Sequence, residues 1–166
     1  MGSHGASGFK EMFIGSNAEK VVRYSAAPVL IIKKEVGEFN VDKFVFASDF
    51  ADEIKKPFAK VVEFANKFGA ELELAMINTP STFKPTHVAE KIMKDFVSNF
   101  TIHKYSLNIY NDKNVESGIL HFADHIGADL IGVCTHGRKG LSHFFNGSIS
   151  EDLVNHALRP VVTFKI

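Results

Sequence analysis

The chain of 166 residues has no tryptophan, one cysteine (Cys134) and 5 prolines, and its 19 Lys and Arg are matched by 19 Asp and Glu. A single cysteine cannot close an internal disulfide, so nothing points to secretion. A formal net charge of +0 leaves no basic excess of the kind that a large nucleic-acid footprint needs. No apolar run approaches the ~18 residues of a membrane span, and the N-terminus has no apolar signal core. These absences lead to the expectation of a soluble, cytoplasmic protein that engages neither nucleic acid nor membrane. What is present is material for a core: 45% of the residues are hydrophobic and 16 are Phe. The length suits one domain of ordinary size, or one domain plus a fragment.

The chain repeats itself. Under a shift of 132 residues, His4, Gly5, Gly8, Phe13, Gly15, Ser16 and Glu19 fall on His136, Gly137, Gly140, Phe145, Gly147, Ser148 and Glu151. Val22, Pro28, Val29 and Lys33 likewise fall on Val154, Pro160, Val161 and Lys165, with no gap. An expression-tag scar would explain MGSH, but Gly2, Ser3 and His4 continue the repeat. Residues 1–34 therefore read as the C-terminal fragment of a first domain, 35–40 as a linker, and 41–166 as a complete second domain.

Within the complete unit, strands and helices alternate. Lys43–Ser48 is a short apolar strand. Asp52–Phe68 is a helix whose Ile54, Phe58, Val61, Ala65 and Phe68 share one face; it tolerates Pro57 only in its first turn and ends at Gly69. Glu71–Ile77 is the second strand and NTPSTFKPT a loop. Val88, Ile92, Phe96 and Phe100 mark a second helix, Tyr105–Ile109 a third strand, and Val115, Ile119, Phe122 and Ile126 a third helix. Asp129–Val133 is a continuous apolar strand suited to a buried parallel position. A helix from about Ser148 to Leu158 and a last strand, Val161–Phe164, complete the unit. This order predicts an α/β fold: a Rossmann-like, open, mainly parallel five-stranded sheet with helices on both faces, preceded by the helix-strand fragment. Ligands of such sheets sit beyond the carboxyl ends of the strands. Asp49 and the loop after Val133 belong at that edge.

That loop, CTHGRKGLSHFFNGS, is glycine-rich and runs into a helix start. Glycine allows close ligand approach, and the free N–H groups behind Gly147-Ser148 favour anions. Thr135, His136, Arg138, Lys139 and Ser148 can add donors, which suits phosphate. A capping box of Ser148 and Glu151 is a sufficient account of those two residues but not of the glycine spacing. The dinucleotide fingerprint Gly-x-Gly-x-x-Gly and the Walker loop are both absent.

The layout from position 134, with Gly137, nine residues, Gly147-Ser148 and then Pro160-Val161 before the last strand, resembles the universal stress protein family. FASDFADE at 46–53 resembles that family's first strand and acidic residue, and GADLIGVCTHGRKGL at 127–141 its fourth strand and loop. The resemblance implies ATP or AMP, with or without Mg, as ligand. It places Asp49 and Ile77 near adenine, and Gly137, Gly147 and Ser148 near ribose and phosphates. The candidate contacts of the loop are Cys134, Thr135, His136, Gly137, Arg138, Gly140, Asn146, Gly147, Ser148 and Ile149. Cys134 stands where the family motif has its first glycine. Tandem members pair the last strands of their two domains, which implies antiparallel pairing of 29–33 with 161–165; the helix of the fragment still leaves apolar surface uncovered, so a homodimer through those strands is expected.

Other chemistry has less behind it. Cys134 as a redox thiol competes with Cys134 as a small apolar filler. His136 and His143 lack a third ligand at metal-binding spacing, and His121 with His125 reads as a solvated helix face. Asp49 has no nucleophile to serve as base. The expected function is a nucleotide-binding regulator of stress response that acts through binding and oligomerisation. The alternatives are a nucleotide-free interaction module of the same fold and a weak ATP hydrolase.

Overall fold

The computed structural model describes residues 15–33, 37–135 and 147–166. Helix α1 (Ser16–Tyr24) and strand β1 (Val29–Ile31) come first, followed by β2 (Lys43–Ala47), α2 (Lys55–Phe68), β3 (Glu71–Asn78) and α3 (Thr86–Val97). Then come β4 (Tyr105–Asn111), α4 (Val115–Ile126), β5 (Leu130–Thr135), α5 (Gly147–His156) and β6 (Val161–Lys165). The sheet order is β1-β6-β5-β2-β3-β4, parallel except that β1 runs antiparallel to β6. The five parallel strands are the sheet expected from the sequence, and β1 extends it to six.

Two apolar layers cover the sheet. On one face Phe44, Phe46, Leu72 and Leu74 meet Phe58 and Val61 of α2 and Met93 and Phe96 of α3. On the other, Val45, Ala47, Ile131 and Val133 meet Ile119 and Phe122 of α4, Leu153 and Val154 of α5, and Ala18 and Val22 of α1. Local signals end the elements where physics requires. Pro57 lies in the first turn of α2, after a 3-10 turn at Asp52–Ile54. Gly69 and Gly127 close α2 and α4 at φ of 67° and 64°, in the left-handed region that glycine enters at no steric cost. Before β2, Phe39 is anchored edge-on against Phe68, with ring centroids 6.1 Å apart.

The β1–β6 ladder has an internal symmetry. Leu30 faces Val162, flanked by Val29 with Thr163 and Ile31 with Val161. Under the 132-residue shift, 161–163 are the counterparts of 29–31, so each flanking pair exchanges with the other about an axis through Leu30 and Val162. The helices follow suit: Lys33 Nζ donates to Asn155 O at the end of α5 (2.5 Å), and its counterpart Lys165 Nζ donates to Tyr24 O at the end of α1 (3.4 Å). Cations at helix C-termini are favourable.

Lys33 is 5% exposed, and burial pushes its amine down from 10.5 to about 8. Between those values the unfolded chain still holds a proton that the folded chain has released, so folding stability contributed by this group rises with pH over that interval. Urea unfolding of the parent and of Lys33→Met at pH 8 and pH 10.5 checks this. The difference should move in the parent's favour at the higher pH, and a constant difference contradicts it.

Candidate functional site

The order of the parallel strands reverses at β2, which has β3 on one side and β5 on the other. Open α/β sheets hold ligands at the carboxyl edge of this switch point. Among the described residues, the connections after Ala47 and after Asn78 leave the sheet at or beside it, and β5 ends there at Thr135.

Between the ends of β2 and β3 lies a shallow crevice. Its apolar walls are Ala47, Met76, Ile77 and Val115, and its polar rim is Ser48, Asp49, Thr82 and Lys84. Asp49 and Ile77, 28 positions apart in the sequence, thus line one space. The enclosed part of the crevice has room for about one water molecule.

The turn that carries Asp49 is held from both sides. The Ser48 hydroxyl accepts from Phe50 N–H at 3.0 Å, and Asp49 Oδ1 accepts from Ala51 N–H at 3.2 Å. Among the described residues, nothing donates to Asp49 Oδ2. Phe50 has φ 59°, a left-handed conformation that is unfavourable for a bulky side chain. Its ring is 4% exposed and packs edge-on against Phe96, centroids 5.4 Å apart. Burial of the ring offsets the backbone strain and leaves the half-buried carboxylate of Asp49 at the rim.

The opposite wall is strapped down by Asn78, whose side chain is 4% exposed. Its Nδ2 donates to Lys84 O at 3.0 Å and its Oδ1 accepts from Lys84 N–H at 3.2 Å. Inside the strap, Thr82 N–H donates to Thr79 O at 3.0 Å and the two threonine hydroxyls lie 2.8 Å apart. This folding sets Thr82 and Lys84 on the rim.

Cys134 and Thr135 end β5, both buried. The Cys134 side chain is 1% exposed and belongs to the core cluster with Phe44, Phe46 and Phe164, not to the residues lining the crevice. Burial pushes its thiol far above the ordinary range, and the negative charge of Asp49 pushes it further. A thiol held protonated is a poor nucleophile, so the packing account of Cys134 prevails over the redox one. Gly147, Ser148 and Ile149 open α5, but the side chains of Ser148 and Ile149, and of Glu151 in the suggested capping box, lie outside the described residues, as do His136, Gly137, Arg138, Gly140, His143 and Asn146.

Among the described residues, no group of three His, Cys, Asp or Glu could hold a metal ion. His121 Nδ1 is 2.7 Å from Asp112 Oδ2, so His121 of the helical pair His121 and His125 is tied to the residue after β4. Sequence reasoning missed Ser48, Met76, Thr82, Lys84 and Val115. The carboxyl-edge rule would have pointed to the loop NTPSTFKPT, because it follows β3, but nothing in the composition of that loop says which side chains turn inward.

An open doubly wound sheet places the chain among Rossmann-like α/β domains, and the comparisons narrow the class. The universal stress protein family model matches residues 1–33 and 109–165, more than half of the chain, and the chain belongs to that family. A universal stress protein from Archaeoglobus fulgidus DSM 4304 is 25% identical with TM-score 0.72, covering 99% of this chain and 59% of that one. The chain therefore spans well under two thirds of that relative. A universal stress protein solved in complex with cAMP is 16% identical with TM-score 0.59, covering 75% of this chain and 96% of that one. The universal stress protein from Archaeoglobus fulgidus solved with dAMP is 16% identical with TM-score 0.56, covering 77% and 100%. No curated protein matches the chain. Among the described residues, no helix is long and apolar enough to cross a membrane.

Proposed function

We propose that the chain is an adenine-nucleotide-binding regulator of universal stress type. The observation that carries this reading is the meeting of Asp49 and Ile77 in one crevice at the switch point. In this reading the crevice widens to take an adenine ring against Ile77 and Val115, and the exocyclic amine of the ring donates to the Asp49 carboxylate. The phosphates of AMP or ATP then run toward the glycine loop and the start of α5, where free N–H groups favour anions. The relatives solved with cAMP and dAMP support the choice of ligand. The tandem organisation, with 1–34 as the end of a first unit and 41–166 as a second, is supported by the family matches, whose ends at 33 and 165 differ by the repeat shift of 132.

One observation favours the alternative, an interaction module of the same fold without nucleotide: the strap leaves the enclosed crevice little larger than a water. Calorimetric titration with AMP and ATP separates the two. Binding of at least one is expected, and Asp49→Ala should weaken it by about 10- to 100-fold, the worth of a hydrogen bond to a charged group. A folded chain that gives no heat with either nucleotide up to millimolar concentration overturns the reading.

A further inference from the structure

Gly118 closes the first turn of α4, its N–H donating to Asn114 O at 3.1 Å, at a helical position where glycine is the least favourable residue after proline. Its φ is not positive, so backbone conformation does not call for glycine there. Space does. A Cβ at this position would stand 2.4 Å from Ile77 Cγ2, 3.5 Å from Ile77 Cβ and 3.1 Å from Asp112 Cβ. The first of these is a separation that real Cβ atoms do not show, so a side chain here must displace something.

The surroundings decide what moves. The helix cannot back away easily, because Ile119 and Phe122 anchor it in the core, 0% and 4% exposed, and His121 pairs with Asp112 at the end of β4 at 2.7 Å. Nor can Ile77 move sideways in the sheet, where it is paired in register with Tyr110, whose ring packs on Phe122 with centroids 5.5 Å apart. The open direction for Ile77 is the crevice, which it lines together with Val115, one helical turn before Gly118.

We infer that Gly118 is a positioning residue of this crevice: its bare Cα lets α4 close on the end of β3 and draws Ile77 back, which fixes how deeply a flat heteroaromatic base can enter. The inference rests on the nucleotide reading above and deepens it. Gly118 acts through Ile77 and touches no phosphate. Its role therefore concerns the ring and is indifferent to the charge on the ligand.

The test titrates adenosine and AMP into the parent, Gly118→Ala, Ile77→Ala and the double variant, with circular dichroism and thermal melting in parallel. Gly118→Ala should bind both ligands about tenfold more weakly, the scale of one methylene's misfit in an apolar pocket. The ratio of AMP to adenosine affinity should stay as in the parent. The double variant, which lacks Ile77 Cγ2, should bind better than the two single losses combined would give. If Gly118→Ala does not fold, the double variant has the room to fold, and its affinity should equal that of Ile77→Ala. A Gly118→Ala variant that binds as the parent does, or that changes the AMP to adenosine ratio, overturns the role of Gly118 alone. A parent that binds neither ligand overturns the nucleotide reading and this role with it.

Discussion

A chain that begins at Glu35 is expected to associate with itself through β6. In the whole chain the outer edge of β6 is covered by β1, and the apolar face behind it by α1: Val22, Val29 and Ile31 are 4%, 9% and 2% exposed. Burial of each such side chain is worth ~1.5–3 kcal/mol, so their removal costs on the order of 5 kcal/mol before the chain relaxes. It also bares the N–H and C=O groups of Val161–Lys165, a template for another strand. The ladder is symmetric about Leu30 and Val162, so the counterpart of β1 in a second molecule is that molecule's own β6. Two shortened chains then meet antiparallel with their Val162 residues on a twofold axis, the isologous contact of a symmetric dimer. Light scattering should find a dimer or larger species. A stable monomer, melting where the parent melts, would sink the expectation. In the full chain the same edge is occupied within one molecule. A homodimer through 29–33 and 161–165 therefore requires the exchange of residues 15–33 between chains.

Gly132→Val is expected to be the most destabilising single substitution in the sheet. Gly132 lies in β5, between β2 and β6, opposite Phe46 and Val162. A Cβ there would lie 2.6 Å and 2.8 Å from two atoms of the Phe44 ring and 3.3 Å from the Phe46 ring. Neither ring has a free path. Phe44 is packed against Phe64 with centroids 5.6 Å apart, and Phe46 against Phe58 at 5.3 Å. Overpacking a tight core costs typically ~1–3 kcal/mol, and a branched side chain facing two fixed aromatics belongs at or beyond the upper end. Chemical denaturation should show a loss of about 3 kcal/mol or more, or no folded protein. A loss below about 1 kcal/mol would mean that the Phe cluster repacks.

The sheet was legible because its signals are local. Apolar strands alternated with helical periodicities, Gly69 marked a helix end, and the resemblance to tandem members implied β1 beside β6 in the observed antiparallel sense. The errors have physical causes too. The spacing through Phe100 suggested a longer α3, yet the helix stops at Val97. Phe100 continues the apolar pattern because its ring packs on Phe58 at 4.8 Å from outside the helix. Strand β4 runs on to Asn111 because backbone pairing with Asn78 needs no apolar side chain. Glu73 is 8% exposed in β3, a position that a charge occupies only with partners; it finds them in Ser106 and Asn108 of the neighbouring strand. Of the crevice, Asp49 and Ile77 were readable because both lie near the carboxyl ends of apolar strands, Asp49 two residues past β2 and Ile77 one before the end of β3. The strap that carries Thr82 and Lys84 was not, since it depends on one amide, Asn78, closing a ring of hydrogen bonds with Lys84. The left-handed Phe50 was equally hidden, because a long-range contact with Phe96 holds it there.

The pairing of β1 with β6 has a bearing on mass action. Two separate molecules that met through such a ladder would part on dilution, and their melting point would follow their concentration. Here the two partners are joined by residues 32–160 of one chain, so each sees the other at a fixed local concentration set by the connecting chain. The contact behaves as folding and is insensitive to how much protein is present. The two halves also need not stay identical. In a true twofold contact one substitution enters twice, whereas here Ile31 and its counterpart Thr163 already differ, and each side can change without the other.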